Sequence, residues 1–299
     1  MPHIFYKPVS RREFLRTTVS AGVAFVALGC ATNLTSRKQE PAGRWAFLAD
    51  THIAADPKDN VRRLYPHQNL QKAVSDIMVD LPDGVVIAGD LARLEGKIGD
   101  YESLKDLLVP LAEKKPIFMA LGNHDDRSNF LKAFTQLSGQ KQSVPDKHVT
   151  VVSGGPVRVI LLDSLLYVNK TPGLLGKAQR AWLQEYLAKS DGTPTILCFH
   201  HTMRDRDGDL LDVPRLFELI KPIRKVKAIV YGHSHEFGYS ELEGIHLINV
   251  PAAAYSFDDK VPVGWVEACL TAKGGRFVLH AVAGNVGADK TVKNLAWRA

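Results

Sequence analysis

The sequence predicts an α/β fold in which two sheets pack face to face with helices outside. Three observations point there. Short apolar runs that read as buried strands alternate with amphipathic helical patterns, which argues a largely parallel sheet under helical cover. Paired runs in the middle and in the C-terminal quarter flank tight turns and add hairpins to that pattern. Five of the apolar runs end in Asp, Asn or His, where open α/β sheets carry their ligands.

Residues 45–49 form the first strand-like run and lead into Asp50-Thr51-His52. Residues 69–80 place Leu70, Ala73, Val74, Ile77 and Met78 at helical spacing. Residues 85–88 lead into Gly89-Asp90. Residues 101–111 repeat the helical pattern through Leu104, Leu107, Leu108 and Leu111, and residues 117–121 lead into Gly122-Asn123-His124-Asp125. Residues 149–152 and 157–162 flank Ser153-Gly154-Gly155-Pro156, a hairpin-like turn. Residues 177–187 read as a helix through Ala181, Trp182, Leu183, Tyr186 and Leu187. Residues 196–199 then lead to His200-His201, and 228–231 to Gly232-His233-Ser234-His235. Residues 237–242 and 245–250 flank Glu243-Gly244, and 263–270 with 276–283 complete a strand-rich tail. No internal repeat and no shift of composition after Gly43 marks a second domain, so residues 44–299 read as one.

With 299 residues, 45% hydrophobic and 23% charged, the chain has an ordinary globular composition and enough length for a sizeable core. No apolar run is long enough to span a bilayer as a mature helix. The formal charge of +6 and the pI near 9.1 raise the question of nucleic acid. Lys7, Arg11, Arg12 and Arg16 against Glu13 put half of that excess in residues 1–30. No basic block with interleaved aromatics remains, so no nucleic-acid partner is expected.

Ser10-Arg11-Arg12-Glu13-Phe14-Leu15-Arg16 resembles the bacterial twin-arginine export signal, and residues 17–29 supply a short apolar stretch of signal length. Residues 1–30 thus read as a twin-arginine signal peptide and 31–43 as a linker. The twin-arginine export machinery becomes an expected partner, and the periplasm or cell envelope the expected location. Ala27-Leu28-Gly29-Cys30 resembles a lipobox with its Leu one place late. Lipidation at Cys30, the one membrane attachment expected, and ordinary cleavage nearby both stay open. Cys198 and Cys269 read as buried free thiols, with a disulfide between them left open.

Alone, Asp50-x-His52 and Gly89-Asp90 are turn-like pairs. Gly122-Asn123-His124-Asp125 is more specific, and His233 and His235 would point the same way from extended backbone. The weight lies in the ordered set, since Asp, Asn and His without Cys form an oxygen and nitrogen ligand set for metals. In that order the motifs resemble the calcineurin-like metallophosphoesterase superfamily. Within it they are similar to the bacterial branch of cyclic-nucleotide and glycerophosphodiester phosphodiesterases. The resemblance covers residues 44–270, with further echoes at Leu161-Leu162-Asp163-Ser164, at Gly173-Leu174 with Gln179 and Trp182-Leu183, and at Asn249-Val250-Pro251.

The resemblance implies a four-layer α/β/β/α sandwich of two mixed sheets with a dinuclear metal site at the strand ends. One metal would be held by Asp50, His52 and His235, the second by Asn123, His200 and His233, and Asp90 would bridge them. His201 would stand behind His200. Two ions, Fe and/or Mn, are implied, with Zn or Co compatible. A hydroxide bridging the metals would attack phosphorus in line. His124 would protonate the leaving alkoxide or stabilise the phosphate charge, and Asp125 would orient the His124 ring.

The expected activity is therefore hydrolysis of a small-molecule phosphoester, a diester ahead of a monoester or nucleotide. A non-catalytic metal-binding lipoprotein is the rival from another class; it would lack ligands, and none is missing. A serine hydrolase would need a Gly-x-Ser-x-Gly elbow, which the chain lacks. Three loops should border the site: residues 56–67 with Arg62, Arg63, Tyr65 and His67, residues 202–212 with Arg204 and Arg206, and residues 253–261 with Tyr255 and Phe257. Arg93 lies close to the metal motifs in sequence. The relatives tend to carry His-His-Pro-Pro where this chain has His200-His201-Thr202-Met203, which weighs against a cyclic nucleotide.

Overall fold

The computed structural model describes residues 42–204 and 206–299. The signal-like segment, Cys30 and the linker up to Pro41 lie outside the described residues. The chain runs through β1 (Gly43–Leu48), α1 (Pro66–Val79), β2 (Gly84–Ala88), α2 (Ile98–Ala112), β3 (Ile117–Ala120) and α3 (Arg127–Ala133). Then follow β4 (Gln140–Gln142), β5 (Val149–Val152), β6 (Arg158–Leu161), α4 (Gly176–Lys189), β7 (Thr195–Cys198), α5 (Val213–Ile220) and β8 (Val226–Tyr231). The tail holds β9 (Gly238–Leu242), β10 (Ile245–Asn249), β11 (Pro262–Leu270), β12 (Gly274–Gly284) and β13 (Val292–Ala296).

Two mixed sheets result, in the orders β13-β12-β11-β1-β2-β3 and β4-β5-β6-β7-β8-β10-β9. Strands β1, β2 and β3 are parallel, as are β6, β7, β8 and β10. The expected hairpins β5–β6 and β9–β10 are antiparallel, and β11 closes antiparallel on β1.

Three apolar layers show how the sheets stack. Along β1, Ala46 and Leu48 face the helices while Trp45 and Phe47 face the other sheet, the two-residue alternation of a strand. Leu70, Ala73 and Ile77 of α1, Leu104 and Leu108 of α2 and Phe130 of α3 cover the first sheet. Phe47, Val86 and Ala88 meet Val159, Leu161, Ile196 and Val230 between the sheets. Leu183 and Leu187 of α4, with Leu216 and Ile220 of α5, cover the second sheet over Ile160, Leu197 and Ile229. This is the four-layer sandwich the motifs implied. Central strands buried on both faces read as unbroken apolar runs, which is why they stood out in the sequence.

Helices α3 and α5 and strands β4 and β13 were not foreseen. Helix α3 matters for the site. Its N-cap Asp126 accepts from the Asn129 amide at 2.8 Å, so the helix starts directly after Asn123-His124-Asp125 and anchors that run. Cys198 and Cys269 are both free, which closes the option of a disulfide between them. After β13 the chain crosses to the second layer, where the Arg298 guanidinium donates to the carbonyls of Ile220, Lys221, Ile223, Val226 and Glu243.

Candidate metal centre

The strands β1, β2, β3, β7 and β8 deliver their following residues to one place. The chain leaves the sheet there in a left-handed turn of backbone: φ is 52° at Asp50, 41° at His52, 50° at Asp90, 72° at His233 and 54° at His235. Non-glycine residues rarely adopt this region, and clusters of them mark sites where geometry is imposed by function. The glycines beside them make room. A Cβ on Gly122 would strike the Asp90 carboxylate, and one on Gly232 would strike that of Asp50. The expectation that His233 and His235 share one direction from extended backbone is therefore corrected. Their positive φ values send the rings apart, into two different groups of donors.

One group is Asp50, His52 and His235; another is Asp90, His200 and His233; in each the ligand atoms lie within 4.8 Å of one another. His235 Nε2 is 3.4 Å from Asp50 Oδ1, and His200 Nε2 is 3.2 Å from Asp90 Oδ2. Asp90 also lies 3.6 Å from His52 Nε2, so its carboxylate joins the two groups. A third overlapping group adds His124 to His52 and Asp90.

Backbone carbonyls set which nitrogen of each ring faces inward. A carbonyl only accepts, so the contacting ring nitrogen carries the proton and the other offers its lone pair. His52 Nδ1 donates to Arg93 at 3.2 Å, His200 Nδ1 to Ala88 at 2.9 Å and His235 Nδ1 to Tyr255 at 2.7 Å. His233 is reversed: its Nε2 donates to the Gly208 carbonyl at 2.9 Å, leaving Nδ1 inward. This is the outer hydrogen bonding that orients metal-ligating imidazoles.

The result is a crowd of lone pairs. His52 Nε2 and His235 Nε2 stand 3.0 Å apart, and His233 Nδ1 and His200 Nε2 stand 3.2 Å apart. Neutral rings so oriented cannot hydrogen-bond each other; a cation or an added proton must lie between them. Burial sharpens the need. It pushes the Asp50 carboxyl up, against the pull of His235 and His200. It pushes the His52 imidazole well down and that of His233 down to about 4. His200 goes the other way, to about 9, because Asp90 and Asp50 outweigh its burial.

Asn123 supplies the separate test of fit. Its Oδ1 is buried with no hydrogen-bond partner, although buried acceptors are nearly always satisfied. An amide oxygen left open beside carboxylates and imidazoles matches the donor chemistry of a hard or borderline cation. The residues present fit the two metals implied by their order in the sequence.

His124 lies beside the donor groups, and Asp125 does not orient it as expected. The His124 side chain is 20% exposed, its Nδ1 donates to Leu94 at 2.9 Å, and its Nε2 lies 3.9 Å from Asp90 Oδ2. Asp125 makes no contact with that ring. Its carboxylate instead accepts from the backbone amides of Leu91, Ala92 and Gly122 and from the Tyr101 hydroxyl at 3.1 Å. Asp125 therefore ties the loop after β2 to the loop after β3, and the Leu94 carbonyl is what orients His124. Burial first, and Asp90 second, push the Asp125 carboxyl up to about 6.

Around these groups lie His201 and residues of the loops expected to border the site. His201 is buried behind His200 as foreseen, but its partner is Ser164, with Oγ 2.7 Å from Nδ1. The Tyr255 ring packs 5.1 Å from His52 and 4.6 Å from His235, and exposed Phe257 packs 4.7 Å from His235. Three of the arginines near the site are committed: Arg62 to Asp259, Arg204 to Glu236, and Arg93 to Asp59 at 2.7 Å. Tyr101 carried only a helical spacing in the sequence, and no local pattern betrays its bond to Asp125.

Comparison with known proteins agrees with this geometry. The profile of the family described as calcineurin-like phosphoesterase matches residues 43–237. A probable cyclic nucleotide phosphodiesterase of Vesicomyosocius okutanii is 27% identical over 73% of this chain and 89% of its own length. The glycerophosphodiester phosphodiesterase GpdQ of Enterobacter lignolyticus is 24% identical over 70% of this chain and 77% of its own length. Among solved structures, a dimetal phosphatase from Danio rerio superposes with a TM-score of 0.67 at 15% identity. It covers 87% of this chain and 100% of the zebrafish chain, a likeness of fold.

Proposed function

Because the chain belongs to the calcineurin-like phosphoesterase family, whose members are metal-dependent hydrolases of phosphoester bonds, we propose that it is an exported phosphodiesterase using iron or manganese. The observation that carries the reading is Asp90. Its carboxylate stands between two groups of imidazoles, with His124 Nε2 3.9 Å away. Asp50, His52 and His235 would hold one ion, and Asn123, His200 and His233 the other, with Asp90 shared. Two ions there would supply Lewis acidity, which would make a water acidic enough to serve as nucleophile near neutral pH and offset phosphate charge.

The chain's own groups do the rest. Backbone carbonyls keep each ring presenting its lone pair. Asp125 holds the loops after β2 and β3 at a fixed separation, so Asp90 and Asn123 stay in register. His124, with Nδ1–H tied to Leu94, can carry a second proton only on Nε2, the atom facing Asp90. In this reading that proton goes to the leaving oxygen, where an alkoxide needs it most.

Two features support a diester. The curated relatives are described as cyclic nucleotide and glycerophosphodiester phosphodiesterases. Arg62, Arg93 and Arg204 are already neutralised by carboxylates, which suits a monoanion better than the dianion of a monoester. Export rests on the twin-arginine-like motif at Ser10 to Arg16. A panel of diesters, monoesters and pyrophosphates assayed with Mn²⁺ tests the chemistry, and a monoester hydrolysed faster than any diester would overturn the preference. Cell fractionation of the wild type and of the Arg11→Lys, Arg12→Lys variant tests export; a wild type confined to the cytoplasm would refute export, and unchanged recovery of the variant outside it would refute the twin-arginine route.

A further inference from the structure

The end of the molecule opposite the metal centre carries a concentration of positive charge that hydrolysis does not use. The strands that finish at the centre begin at this pole. β1 and β8 are each six residues long, which sets the two ends about 20 Å apart at the usual rise of a strand. Lys221, Arg224 and Lys225 occupy the turn from α5 into β8, Lys227 follows in the first residues of β8, and Arg298 folds back onto the same turn through the carbonyls of Lys221 and Ile223.

Little negative charge answers them. Lys221 pairs with Glu243 at 2.7 Å. Lys225 and Lys227 spend their ammonium groups on backbone carbonyls of Ser190, Asp191 and Arg298. Arg224 is exposed and has no carboxylate partner among the described residues. The cations also press on each other. Lys227 and Arg298 are held below their ordinary values, first by partial burial and then by neighbouring arginines, Arg224 among them. Lys221, Pro222, Arg224 and Glu243 line an open cleft of about 420 Å³.

The chain enters the fold at this same pole. Gly43, the first residue of β1, lies against Pro156, a Cβ there falling 3.5 Å from the proline ring. Pro156 leads into Arg158, which pairs with Asp191 at 2.6 Å, and the Asp191 carbonyl accepts from Lys225 at 2.8 Å. Cys30, in its lipobox-like setting, precedes Gly43 by 13 positions. That tether reaches at most about 45 Å.

We propose that this pole docks the protein on an anionic bilayer surface and leaves the metal centre facing away from it. The cluster is cationic and lacks the exposed aromatics on which nucleic acid bases stack, so an array of lipid phosphates is the better match. The attachment is electrostatic. No helix among the described residues is long and apolar enough to cross a membrane.

The test mixes purified full-length protein with vesicles of phosphatidylcholine alone or of phosphatidylcholine with phosphatidylglycerol, at low and high salt. Binding is expected with phosphatidylglycerol only, and high salt should release it. Lys221→Gln and Arg224→Gln should each weaken it about fivefold, and the pair about 25-fold, from the usual contribution of a basic residue near an anionic surface. Arg224→Lys should bind like the wild type. Every variant should hydrolyse a chromogenic diester at the wild-type rate, which also verifies folding. Unchanged binding by the double variant, or equal binding to both vesicles, would overturn the proposal. Displacement by millimolar inorganic phosphate would make the cleft a small-anion site instead, and preference for duplex DNA over vesicles would make the pole a nucleic-acid surface; either also overturns it.

Discussion

Asn123→Ala separates a metal ligand from a structural hydrogen bonder. In the metal-free protein Oδ1 is a buried acceptor without a partner, a condition that costs about 1–3 kcal/mol. Truncation removes that cost and leaves a small void of comparable but opposite effect. The variant should therefore melt within about 1 kcal/mol of the wild type, or about 2 °C for a chain of this size, when a chelator is present. With Mn²⁺ at about 100 times Kd, the wild type gains about 2.7 kcal/mol per occupied site. If the variant binds the second ion about a hundredfold more weakly, its gain at that site falls to about 0.4 kcal/mol. The gap of about 2.3 kcal/mol corresponds to about 4–5 °C in Tm. Calorimetric unfolding of both proteins, with chelator and with Mn²⁺, reads the four values. A variant several degrees less stable in chelator, with no wider gap in Mn²⁺, would refute the reasoning: Oδ1 would then be an ordinary structural acceptor.

Asp90→Asn should lower bound metal, measured by elemental analysis, and cut kcat by about a thousandfold or more, since one carboxylate faces His52, His200 and His124; a fully loaded and active variant would remove its shared role. His124→Asn should keep both ions yet slow turnover about 10²–10⁴-fold for alkyl diesters and far less for nitrophenyl diesters, whose leaving groups need no acid. Equal losses on both would deny it the proton transfer. Arg298→Ala gives up five carbonyl contacts, to the end of α5, the start of β8 and the β9–β10 turn, and with partial exposure discounted should lower Tm by about 4 °C, with kcat unchanged. Lys147 is pushed down to about 8 by burial, against the pull of Asp163. Between about pH 8 and its ordinary 10.5 the unfolded chain then binds more protons than the folded one, so stability relative to Lys147→Met should rise with pH across that window. Denaturant unfolding across the window, with a flat or falling difference, would contradict this.

How far the sequence could be read depended on whether a signal was local. Strands β2, β7 and β8 are buried on both faces, so each left an unbroken apolar run with its ligand residue just beyond. Helix α3 has seven residues, too few for a period to show, and only its capping Asp126 marked it. Helix α5 opens with a proline in its first turn, a start signal that its eight residues were too short to reinforce. Strand β13 is mostly exposed and has no alternation to detect. The part Asp125 plays was out of reach for another reason: its partners are two loops and a tyrosine 24 positions upstream, brought together only by packing.

The pair His233 and His235 shows where an assignment to two ions stood beside a wrong geometry. Motif order sent them to different ions, while their spacing of two, taken as strand, pointed both rings the same way. The two statements conflict unless the chain has left the strand, and the φ values of 72° and 54° show that it has. The left-handed turn that separates them also brings the His233 amide within 3.0 Å of the Asp50 carboxylate. That bond spans the two sheets, from the end of β8 to the end of β1. The backbone departure that a two-residue period cannot encode is thus what splits one histidine motif between two donor groups and fastens the sheets together at the centre.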